Sequence, residues 1–212
     1  MAIIIRKDQE KIYFSNSGIV TEKDKKIADK LDEELKKGIK KLATEFLEKK
    51  MITKTGRKEN ALMVWFQLGK FLLNLAKKYK MFGTNEEVYY WEAVYDHLPK
   101  EIQRAPRPKR FKELTKNAYR KAALMAQYPW SVIYKVGKWA VWNDILDNPK
   151  LLNDKRILDW VISKIIKRRA GHKEIRNFLY AVSRRLHKID TSVLSSNELK
   201  SKLAEVDSFL YF

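Results

Sequence analysis

The sequence predicts a mainly α fold, a multi-helix bundle of about eight helices with a short N-terminal β-hairpin. Three observations carry that expectation. Apolar residues recur at steps of three and four from Thr21 to Leu210, the period of an amphipathic helix. Ser/Thr-x-x-acid boxes, which satisfy the first free N–H groups of a helix, stand at Thr21–Asp24, Thr84–Glu87 and Ser195–Glu198. Only the N-terminal residues, with β-prone runs at Ala2–Ile5 and Lys11–Phe14 around a polar turn, read as paired strands.

Taken in order, residues 1–20 form a hairpin arm that is marginal alone and has to dock on something. The first helix starts at Thr21 and carries Ile27, Leu31, Leu35, Ile39, Leu42 and Phe46, with Gly38 as its weak point. A second helix, after "KTGRKEN", carries Leu62, Trp65, Phe66, Leu72, Leu73 and Ala76. A third follows "GTNEE" with Val88, Trp91, Val94 and Leu98, closing an N-terminal helical part over 21–103. The basic segment "RAPRPKR" (104–110) reads as a linker, because two closely spaced prolines stop regular structure.

The C-terminal basic part, 111–212, opens with a helix bearing Phe111, Leu114, Ala118, Ala122 and Met125. The pattern then predicts a helix from Trp130 to about Asn148, a sixth from about Asn153 to Gly171, and a seventh from His172 to about Ile189. In the seventh, Ile175, Phe178, Leu179, Val182, Leu186 and Ile189 share one arc. Lys173, Arg176, Tyr180, Arg184, His187 and Lys188 share the opposite one. Leu199, Leu203, Val206 and Leu210 mark a last helix.

Composition narrows the function classes. An apolar fraction of 45% over 212 residues supplies a sizeable core. With no cysteine, disulfides, thiolate metal sites and cysteine nucleophiles are excluded, which fits a reducing interior. No apolar run approaches the roughly 20 residues of a membrane span, and the apolar run Ala2–Ile5 is too short for a signal peptide. These features predict a soluble cytoplasmic protein.

The net charge is +19, and its distribution is uneven. Residues 104–140 hold ten Lys or Arg and one acid, and residues 150–188 hold twelve against three. Segregation of that kind points to an acidic partner, most often the phosphate backbone of DNA or RNA. The candidate contacts are Arg104, Arg107, Lys109, Arg110, Lys116 and Arg120 in the first window. In the second they are Lys167, Arg168, Arg169, Lys173, Arg176, Arg184, Arg185 and Lys188, with Tyr180 as a ring for base stacking. Trp139 and Trp142, beside Lys135 and Lys138, read more naturally as helix packing.

Motifs for catalysis are scarce. His97, His172 and His187 are too few and too separated for a metal site, and the seven glycines form no phosphate loop. Glu198-Leu-Lys200 matches the acid-x-Lys part of a restriction-type nuclease motif but stands at a helix start, and Glu34-Leu-Lys36 repeats the pattern inside another helix. Glu86, Glu87, Glu92 and Asp96 cluster on the third helix, where acids of the first turn simply favour the helix dipole. No cofactor and no metal are expected.

Residues 172–212 resemble the small-subunit family of type III CRISPR effector complexes. The likeness rests on Ile175, Arg176, Phe178, Leu179 and Val182, followed by Leu203, Val206, Phe209 and Tyr211. It implies a non-catalytic helical subunit lying along a guide–target nucleic acid. The charge logic alone also suits a DNA-coating capsid protein of an archaeal filamentous virus, placed in the virion. A metal-dependent nuclease and a protein binding anionic membrane surfaces are the further alternatives.

Overall fold

The computed structural model describes residues 2–7, 10–15, 18–53, 59–85, 87–98, 108–152, 154–168, 171–187 and 189–208. The fold is mainly helical, with a two-stranded antiparallel hairpin at the N-terminus. Strands β1 (Ala2–Lys7) and β2 (Glu10–Ser15) pair with Ile3 opposite Phe14 and Ile4 opposite Tyr13. Helices α1 (Glu22–Thr53), α2 (Glu59–Lys78), α3 (Glu87–Asp96) and α4 (Pro108–Met125) follow. Then come α5 (Trp130–Val136), α6 (Trp139–Leu146), the single turn α7 (Pro149–Leu152), α8 (Lys155–Arg168), α9 (His172–Leu186) and α10 (Ser196–Ser208).

The chain divides into two compact units, Met1–Trp130 and Ser131–Phe212. The sequence pattern places the division at 104–110 instead. Residues 104–107 lie outside the described ones, but Pro108, Lys109 and Arg110 form the first turn of α4. Proline suits that position, since the N–H it lacks has no intrahelical partner there. The rest of α4 then packs on α2 and α3, which makes it part of the first unit.

In the first unit the hairpin docks through β1 on α1 and α3. Ile3 and Ile4 point to opposite faces, as successive strand residues must, yet both are 2% exposed. Ile3 joins a core of Leu31, Leu35, Leu72, Tyr90 and Val94, while Ile4 packs with Ala28, Tyr13 and Val20. Burial on both faces is what stabilises a hairpin too small to stand alone. Tyr90 donates its hydroxyl to the Leu72 carbonyl at 2.7 Å, giving a polar atom in this core its partner. Asp32 of α1 and His97, just past α3, form a buried pair at 2.6 Å.

Two glycines mark where helices approach closely. Gly38, the position of weakest helix propensity in α1, lies against the Phe71 ring of α2, and a Cβ there would meet its Cζ at 2.0 Å. At Gly69 of α2 a Cβ would fall 2.0 Å from the Ala122 carbonyl oxygen, so α2 and α4 meet backbone to backbone.

In the second unit the helix expected over 130–148 is two helices. Gly137 takes φ +95°, a left-handed conformation that costs a glycine little and ends α5, and the chain restarts at Trp139. Trp142 is fully buried and donates its indole N–H to the Ile133 carbonyl at 3.3 Å, which is the packing role expected of it. Arg156 joins the start of α8 to the loop before α10. Its guanidinium donates to Asp154 at 2.7 and 3.0 Å and to the carbonyls of Thr191 and Leu194 at 2.7 and 2.9 Å.

The capping boxes fare differently. Asp24 accepts from the Thr21 N–H at 3.2 Å while the Thr21 hydroxyl accepts from the Asp24 N–H at 3.2 Å. Ser195 and Glu198 exchange the same pair at 2.8 and 3.3 Å. The box expected at Thr84 and Glu87 does not close. The Thr84 hydroxyl donates to the Met81 carbonyl, and Glu87 accepts from the Gly83 N–H instead.

Candidate nucleic-acid interface

Helix α9 sorts its residues by face. Ile175, Phe178, Leu179, Val182 and Leu186 are buried, with Phe178 against the Trp160 ring of α8 at a centroid distance of 5.9 Å. Lys173, Arg176, Tyr180, Arg184, Arg185 and His187 are exposed, as is Lys167 in the last turn of α8. The helix starts cleanly because Glu174 accepts from the Gly171 N–H at 2.7 Å. Glycine has no side chain to return the bond, so only this half of a capping box forms.

Within that face the cations are not equivalent. Arg176 donates from Nε to Asp144 Oδ2 at 2.6 Å, and His172 reaches the same oxygen at 2.7 Å. Partial burial pushes the Asp144 carboxyl up, but hydrogen bonds from Arg176 and His172 outweigh it and hold the group below the usual carboxylate range. The carboxylate on α6 therefore occupies one edge of the Arg176 guanidinium. Arg168 is bound more deeply, donating to Asp207 Oδ1 at 3.0 Å while Lys164 pairs with the other oxygen of the same carboxylate. Lys173 and Arg184 have no ion pair with a carboxylate among the described residues, and both project into solvent.

The basic window on α4 is arranged otherwise. Lys116, 11% exposed, pairs with Glu92 of α3. Arg120 donates from Nε to Glu87 Oε1 at 2.9 Å. Burial raises the Glu87 carboxyl, yet donors from Trp91, Arg120 and Gly83 together hold it below its ordinary value. Thr84, Glu87, Val88, Trp91, Lys116, Asn117 and Arg120 line a cleft of about 330 Å³ between α3 and α4. Both of its cations already have a carboxylate partner, so the cleft is close to neutral.

The side chains of Lys109 and Arg110, and residues Arg104, Arg107, Arg169 and Lys188, lie outside the described residues. Of the positions chosen from sequence, the structure thus brings Lys167, Lys173, Arg176, Tyr180, Arg184 and Arg185 onto exposed surface of α8 and α9. It ties Lys116, Arg120 and Arg168 to carboxylates. The residues missed by sequence reasoning are those counter-charges: Glu87, Glu92, Asp144 and Asp207. Only Glu87 carried any local signal, and it pointed to a helix cap and the helix dipole rather than to α4.

Glu198, half of the acid-x-Lys pattern, is a helix cap, and its hydrogen bonds with Ser195 lower its carboxyl below the ordinary value. Among the described residues no group of three or more His, Asp or Glu could hold a metal ion, and no helix is long and apolar enough to cross a membrane. Comparison with family models, curated proteins and solved structures finds no match for the chain.

Proposed function

We propose that the protein binds nucleic acid through the phosphate backbone, using the exposed face of α9 and the end of α8, and carries out no catalysis of its own. The observation that supports this most is the sorting of α9. Its apolar residues from Ile175 to Leu186 are buried in the core, so the opposite arc is not needed for folding, and that arc carries Lys173, Arg184 and part of Arg176. Several cations along one helix, with Glu174 in the capping turn as its single acid, match a linear polyanion better than a single base-reading contact. The resemblance of residues 172–212 to small subunits of type III CRISPR effector complexes extends the proposal to a role within a larger nucleoprotein assembly.

Fluorescence anisotropy with a labelled mixed-sequence oligonucleotide, repeated over a series of salt concentrations, tests it. The double variant Lys173→Gln/Arg184→Gln keeps helix propensity and removes two surface cations. Its binding should weaken, and the slope of log K against log salt should become shallower by up to two contacts, at about 0.7 to 0.9 each. Lys23→Gln/Lys26→Gln removes equal charge from exposed positions of α1 and should leave the slope as it is. Equal weakening by both pairs would show a response to net charge alone and refute the assignment to α9.

A further inference from the structure

The exposed ring of Tyr180 sharpens the class of nucleic acid. It stands near the middle of α9 at 70% exposure, so a large apolar ring is left in water on the basic arc. Arg176 lies one turn before it and Arg184 one turn after, about 6 Å away in each direction along the axis at 1.5 Å per residue. Lys173 and His187 lie two turns away on either side, and all four are exposed. Along the helix face the ring therefore has charged neighbours in both directions. A protein partner docking by hydrophobic burial would need contiguous apolar surface, which the neighbours at these positions do not supply.

An isolated aromatic flanked by cations does match a strand whose bases are open. In a duplex the base faces are stacked on one another, and only edges and phosphates are offered to a helix. In a single strand each base has a free face that stacks on an aromatic ring, while cations on either side meet the flanking phosphates. From this geometry we infer that α9 takes single-stranded nucleic acid, with one base stacked on Tyr180 and the backbone running past Arg176 and Arg184. The inference rests on the proposed backbone-binding role of α9 and adds the strandedness of the ligand.

The test uses the full chain, with a labelled oligo-dT and a labelled mixed-sequence duplex of the same length as probes. The single strand should bind more tightly than the duplex at equal salt. Tyr180→Ala should weaken single-strand binding by about five-fold or more, the low end for one base–aromatic stack, and leave duplex binding unchanged. Tyr180→Phe, which keeps the ring, should restore the single-strand affinity. Neither variant changes charge, so the salt slope should match wild type in both, unlike that of Lys173→Gln/Arg184→Gln. If Tyr180→Ala weakened both probes alike, or neither, the stacking inference would be overturned while backbone binding stood. Binding to neither probe, with capture by vesicles of anionic lipid instead, would overturn both.

Discussion

Helices α4 and α9 look alike as sequence and differ as surfaces. Each follows a break in the chain and is rich in Lys and Arg with few acids. On α4, Lys116 and Arg120 reach back to Glu92 and Glu87 of α3, and their charge helps close a helix pair. On α9, one arginine is held at an edge by Asp144, while Lys173 and Arg184 face solvent. The difference lies in which carboxylate the fold brings alongside, at separations of 24 and 33 residues for α4 and 32 for Arg176. A run of cations in sequence is thus only an upper bound on the charge available to a ligand.

The largest expected effect tests whether α4 is a packed, inward-facing helix. Gly69→Ala would drive a Cβ into the Ala122 carbonyl, a backbone group that cannot rotate away. It should destabilise the first unit by about 2–3 kcal/mol in urea unfolding, even though alanine is the better helix former. Gly38→Ala is the contrast, since its obstacle is the tip of the Phe71 side chain, and its cost should stay within about 1 kcal/mol. Equal tolerance at both positions would mean that α2 and α4 do not touch as described.

The next effect separates the two kinds of cation. Lys116→Gln breaks a largely buried pair, and its cost should be about 2 kcal/mol, between the value for exposed pairs and that for fully buried ones. Its salt slope for oligonucleotide binding should stay at the wild-type value. A stable Lys116→Gln variant with a shallower slope would make α4 a binding face and erase the contrast with α9.

What the sequence disclosed follows the range of the interactions. The arcs of α9 were legible because one helix and one period define them, and the period selects every buried residue, though it also selects Ile189, which lies past the helix end and is only partly buried. The hairpin and the Thr21 and Ser195 caps were legible for the same reason, the caps closing over three residues and the hairpin within Ala2–Ser15. The break at Gly137 was not, since the apolar pattern continues across it and only the backbone angle shows the stop. Glu87 had the spacing of a capping box, but Trp91 and Arg120 hold its carboxylate in a tertiary cluster. The candidate site was legible to the same extent: its exposed face could be drawn from α9 alone, whereas its counter-charges, Asp144 and Asp207, come from helices elsewhere in the chain.

The smallest effect bears on Asp144, which decides how much of Arg176 is open to a ligand. The carboxylate competes with phosphate for the Nε edge of the guanidinium, and His172 supports it in that position. Because the Asp144 carboxyl is held below the usual range, the clamp is fully present above that range and opens only as pH falls through the depressed value. Asp144→Asn removes the negative charge at all pH values and keeps the shape of the side chain. At neutral pH the variant should bind oligonucleotide a few-fold more tightly, with a salt slope steeper by about one contact, 0.7 to 0.9. Folding should change little, since Arg176 is well exposed and exposed pairs contribute modestly. Weaker binding by Asp144→Asn would reverse the reading: Asp144 would then hold Arg176 in the geometry that phosphate requires, and α9 would resemble α4 in depending on a carboxylate partner.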